Sequence, residues 1–107
     1  MTTQIEDLVA EVRQATDFQI NRRLLREKAQ TDLHFAYNGG LFRSTPELIM
    51  FTASWPSTSA LYLEDTYQNP IHIVDPELFA RLCKQHYQTV MNTWHDQYAE
   101  LRKIRKV

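Results

Sequence analysis

Between residues 4 and 28 the chain contains neither proline nor glycine, and Ile5, Leu8, Val9 and Val12 recur at helical spacing with Glu6, Asp7 and Glu11 between them. This predicts a long first helix, capped by Thr2 or Thr3, whose early acids suit the positive end of the helix dipole. The apolar set then becomes Phe18, Ile20, Leu24, Leu25 and Ala29, which at about 100° per residue lies on a rotated face. One helix curving across two different partners accounts for the rotation. So does a break at Ala15-Thr16-Asp17, where Thr16 and Gln19 have capping-box spacing. The unbroken helix is the preferred reading.

Leu33-His34-Phe35-Ala36-Tyr37, then Asn38-Gly39-Gly40, then Leu41-Phe42-Arg43 reads as a hairpin, because Asn-Gly suits a turn that needs two residues at positive φ. The competing reading carries the first helix through Tyr37 and ends it on Asn38-Gly39. Ser44-Thr45-Pro46-Glu47 is a helix start with Glu47 three residues after Ser44. The apolar run after it predicts a short buried helix ending near Trp55-Pro56, with a central strand as the alternative. Leu61 and Leu63 alternate with Tyr62 and Glu64, and Ile71 and Ile73 flank His72, which predicts a second hairpin with one buried face.

Asp75-Pro76-Glu77 opens a second long helix, with Asp75 as cap and Pro76 at the first helical position. Phe79, Cys83, Val90, Trp94, Leu101 and Ile104 fall within an arc of about 80° on its wheel. The expected fold is α+β: two long amphipathic helices at the termini packed on a small antiparallel sheet of two hairpins, with a short helix between the hairpins, as one domain over residues 1–107. A terminal helix of about 40 Å is longer than a small sheet can cover. Part of its stripe therefore needs the first helix or a second subunit, and a homodimer through Tyr87, Met91, Trp94, Tyr98 and Leu101 is the expectation.

Composition narrows the function without naming it. With 107 residues, 43% hydrophobic and 23% charged, the chain has the make-up of one folded domain. Its 12 basic and 13 acidic side chains give a net charge of -1, so it lacks the global field of a dedicated nucleic-acid binder. The single cysteine excludes an internal disulfide, and the N-terminus lacks a signal-peptide pattern. No run approaches the roughly 18 apolar residues of a membrane span. The expected setting is the cytoplasm, without membrane association.

Among chemistry-bearing residues, Cys83 and His86 share a helix face, but two ligands do not complete a zinc pattern, and neither metal nor cofactor is expected. His34 and His72 fall on outward strand faces. His95 and Asp96 diverge by about 100° on their helix and are expected not to orient one another. Glu64 and Asp65 are expected to be solvated turn residues, because neighbours on a strand point to opposite faces. Cys83 has no basic neighbour placed to activate it other than Lys84, which points elsewhere, and with two glycines there is no phosphate-cradling loop. The basic clusters, Arg22, Arg23 and Arg26 in the first helix and Arg102, Lys103, Arg105 and Lys106 at the end of the last, sit toward helix C-termini, where the dipole favours cations. They are also the residues that would contact a phosphate backbone.

The run Asn38-Gly39-Gly40-Leu41-Phe42 with Thr45-Pro46-Glu47-Leu48, then Leu61-Tyr62-Leu63-Glu64-Asp65 with Asn69-Pro70-Ile71, then His86-Tyr87-Gln88 and the terminal Lys103-Ile104-Arg105-Lys106-Val107, resembles small proteins of tailed phages that infect marine cyanobacteria. The resemblance covers most of the chain. It implies a viral accessory or structural context, in the host cytoplasm or the virion, and carries over no catalytic residue. The expected function is a non-enzymatic interaction protein, homodimeric and acting on another protein. The alternative is a nucleic-acid-associated accessory factor using the basic helix ends, and an enzyme is the third reading.

Overall fold

The computed structural model describes the backbone of residues 2–105 and the side chains of residues 4–104. In chain order, α1 spans Thr2–Asp32, β1 His34–Tyr37, β2 Gly40–Arg43, α2 Pro46–Ala53, β3 Leu61–Glu64, β4 Pro70–Ile73 and α3 Pro76–Arg105. This is the expected α+β order, and α1 is a single helix with no break near Asp17. Its start at Thr2 puts Glu6 and Asp7 beyond the first turn, so they complement the dipole less than the sequence implied. The side chains of Thr2 and Thr3, the expected caps, lie outside the described residues.

The β1–β2 hairpin turns on Asn38 and Gly39, at φ 47° and 81°, which is the left-handed pair that a two-residue turn requires. Its register places Phe35 opposite Phe42 and Tyr37 opposite Gly40. In the second hairpin Leu61 faces Ile73 and Leu63 faces Ile71, while Tyr62 and His72 look outward. Each hairpin forms its own two-stranded sheet. The β3–β4 turn joins them, with the Thr66 N–H donating to the Leu41 carbonyl at 2.8 Å and the Leu41 N–H to Asp65 Oδ2 at 3.0 Å, and so does Asn38 Nδ2, which donates to the His72 carbonyl at 3.0 Å.

The segment after β2 is the helix rather than the strand, but its cap is Thr45, one residue later than the sequence indicated. Thr45 Oγ1 accepts the Leu48 N–H at 3.1 Å, whereas Ser44 is fully buried and its Oγ accepts the Cys83 thiol at 3.4 Å. A hydroxyl committed to the interior cannot cap. α3 begins as expected, with the Leu78 N–H on Asp75 Oδ1 at 3.1 Å.

Two cores share α3. Its first half carries Phe79 into a cluster with Phe42, Leu61 and Ile73, flanked by Phe35, Tyr37, Leu48 and Trp55. Its second half meets α1, where Ala29, Leu33 and Val90 are buried beneath Tyr87, Met91 and Trp94. Phe18 approaches Tyr98 at 6.5 Å between ring centroids, so the helices run antiparallel, falling residue numbers on α1 meeting rising ones on α3. Continuing that register at about 1.5 Å per residue, α3 ends near residue 12 of α1. The first turns of α1 therefore project past it. The result is a rod 75 × 23 × 17 Å, with a radius of gyration of 20.5 Å where a compact chain of this length has about 13 Å.

Candidate functional site

The projecting part of α1 explains the rotated apolar pattern. Phe18, Leu25, Ala29 and Leu33 share the face that packs on α3, while Ile5, Leu8, Val9 and Val12 lie about 120° around the helix. Those four are 62%, 57%, 46% and 65% exposed. One stripe is used inside the molecule and the other faces solvent.

On the same side of α1 as the exposed stripe, the seam with α3 opens into a groove of about 760 Å3. Its α1 wall is Gln19, Arg22, Arg23 and Arg26, with Ile20 at the rim, and its α3 wall is Met91, Trp94, His95 and Tyr98. The residues expected at an intersubunit contact thus have a first use within the chain. Tyr87, Met91, Trp94, Tyr98 and Leu101 are all half-buried along the α1–α3 seam, and three of them keep a side open to the groove.

Of the two basic clusters, the first stands higher on α1 than a dipole account needs. Arg26 is more than a turn short of the C-terminus at Asp32, and the field of a helix end fades within its last turn. Arg22 donates to Gln19 Oε1 at 2.8 Å, and Arg23 pairs loosely with Glu27 at 3.8 Å on the exposed surface. Arg102 from the second cluster sits over the Tyr98 ring at 6.0 Å, but it does not line the groove. Lys103 is instead paired with Glu100 at 3.1 Å. The side chain of Arg105, and Lys106 altogether, lie outside the described residues.

The groups with reactive potential have structural occupations. The Cys83 thiol is buried, which pushes its pKa up and away from the thiolate that nucleophilic chemistry requires. His86 Nε2 donates to the Asp32 carbonyl at 2.6 Å, tying α3 to the end of α1, and its ring lies against Phe35. Cys83 and His86 thus serve different neighbours. Among the described residues no three His, Cys, Asp or Glu side chains gather as a metal would need. His34 Nδ1 donates to the Thr31 carbonyl at 2.9 Å, and His72 stacks on Tyr62 at 5.0 Å.

Two expectations are corrected. His95 Nδ1 and Asp96 Oδ1 approach to 3.5 Å, because side chains diverging at the backbone can still bend together in open solvent. Both are highly exposed, so the pair contributes little. Asp65, expected to be solvated, is 5% exposed and accepts N–H groups from Leu41, Tyr67 and Asn69 at 3.0, 3.0 and 2.9 Å. The bonds from Asn69 and then Leu41 hold its pKa below the usual carboxylate value against the opposing effect of burial. The only signal for this in the sequence was an acid opening a turn, and that describes many solvated residues.

No helix among the described residues is long and apolar enough to cross a membrane. No protein-family model, curated protein or solved structure matches the chain, so the exposed stripe and the groove beside it define the candidate site on their physical chemistry alone.

Proposed function

We propose that the chain is a non-enzymatic interaction protein that works as a homodimer through its long helices and acts on another protein. The observation that carries this reading is the line of Ile5, Leu8, Val9 and Val12, exposed together on a helix that projects beyond its own fold. Scattered surface leucines need no explanation, but a contiguous apolar strip on a rod-like chain is the usual mark of a contact surface. The resemblance of its motifs to small phage proteins agrees with this reading, and on that resemblance the chain would be a viral accessory or structural component, in the host cytoplasm or the virion. Sedimentation equilibrium of the full chain at micromolar concentration tests the reading. Twice the chain mass is expected, and the monomer mass overturns it.

A second reading is supported by the gathering of Arg22, Arg23 and Arg26 along a groove that also holds Trp94 and Tyr98, with Arg102 over the Tyr98 ring. Arginines track a phosphate backbone and aromatic rings stack on bases. Binding of mixed-sequence single-stranded DNA or RNA across a salt series tests it. Affinity that falls steeply with salt and is lost in an Arg23→Ala, Arg26→Ala protein favours nucleic acid, and a weak, flat response removes it.

A further inference from the structure

We infer that the groove between α1 and α3 receives the first half of α1, including its projecting turns, from a second copy of this chain, in an antiparallel two-fold arrangement centred between Ala15 and Thr16. The inference rests on the homodimer reading and adds its geometry. Along one face of α1, within an arc of about 60°, lie Ile5, Leu8 and Val12, followed by Gln19, Arg23 and Arg26. The spacings of the first trio, three then four, are reversed in the second. The two trios are therefore mirror-spaced about the midpoint between residues 15 and 16, and a two-fold axis through that midpoint sets Ile5 against Arg26, Leu8 against Arg23 and Val12 against Gln19 of the second copy.

Length, polarity and charge agree with that placement. The stripe and the groove wall each cover about 11 Å of helix at ~1.5 Å per residue. The far wall supplies Met91, Trp94 and Tyr98, apolar and aromatic surfaces of the kind that anchor interfaces, and the aliphatic stems of the arginines extend the apolar lining. The first half of α1 carries Glu6, Asp7 and Glu11 against Arg13, whereas the groove carries Arg22, Arg23 and Arg26. Of these acids only Glu11 flanks the seam, on the same side as Arg22 of the second copy. Glu6 and Asp7 lie about 130° from the middle of the stripe, so antiparallel seating matches the net charges of the two halves without pairing those two, and a parallel pair would set like against like. Half-buried Ala15 offers little bulk at the axis, where the backbones approach most closely. Each copy gives one stripe and one groove, so the assembly closes at two.

Cysteine cross-linking of the full chain tests the register separately from the mass. Under mild oxidation, Thr16→Cys is expected to link to itself, and a mixture of Leu8→Cys with Arg23→Cys to form the mixed disulfide in preference to either self-pair. Leu8→Lys, on an exposed site where folding is not at stake, is expected to raise the dimer dissociation constant at least about tenfold with an unchanged far-UV spectrum. A dimer in which Leu8→Cys links only to itself overturns this arrangement and leaves the homodimer reading standing. A monomer overturns both. Mixed-sequence RNA or DNA binding a monomer through Arg23 and Arg26, or another protein seated in the groove of a monomer, gives the site to a different occupant and likewise overturns the proposal.

Discussion

The Asp65 carboxylate holds three N–H groups from two hairpins, so one titratable side chain stitches together strands that form no common sheet. Because the folded chain lowers its pKa, its contribution to stability is fully present above the unfolded carboxylate value of about 4 and is lost as the pH falls through the lowered folded value. Thermal melts of the native chain and of Asp65→Asn should therefore differ most near neutral pH, with the variant lower in Tm, and draw together in acid. Gly40 is a second residue with no latitude. A methyl group there would lie 2.6 Å from Ile71 Cγ1, where the first hairpin crosses the second. Gly40→Ala is expected to cost about 1–3 kcal/mol in urea unfolding, as overpacking of a filled core does.

At the scale of the element, α2 depends on its cap and α1 on what covers it. Thr45→Ala should remove about 1 kcal/mol by leaving the Leu48 N–H without its acceptor, whereas Ser44→Ala keeps that bond and forfeits the contact with Cys83. Comparing the two by chemical denaturation identifies which hydroxyl caps. Among the described residues nothing covers the projecting turns of α1, and a helix of about 12 residues is marginal alone in water. Amide exchange over residues 5–12 should therefore slow as protein concentration rises. Exchange over residues 79–90, which lie in the shared cores, should not change.

For the whole molecule, α3 is the member common to both cores, and an uninterrupted helix transmits the loss of either. Phe79 is fully buried among Phe35, Tyr37 and Phe42, with ring centroids 5.6, 4.9 and 5.2 Å away. Phe79→Ala should cost about 3–5 kcal/mol, a large share of the ~5–15 kcal/mol that holds a typical domain. Trp55 flanks the hairpin core and Trp94 the helical one, and they are the only two tryptophans in the chain. Single-tryptophan variants should report coincident urea transitions. Separate midpoints would show that the two cores unfold independently.

The local rules of the chain were enough for its elements. The Asn38-Gly39 turn, the alternation around Tyr62 and His72, the Asp75-Pro76 start and the α+β order follow from backbone preference and periodicity, which act over a few residues. The shift of the α2 cap from Ser44 to Thr45 and the burial of Asp65 escaped those rules, because each was settled by a group distant in sequence: the Cys83 thiol for one, the Leu41 amide for the other. The same holds for the candidate site. A rotated apolar stripe was visible between Ile5 and Val12, yet whether it was core or surface depended on how far α1 runs past the end of α3. Periodicity says which side chains share a face. Only the packing of one helix on another decides which face is left to meet something else.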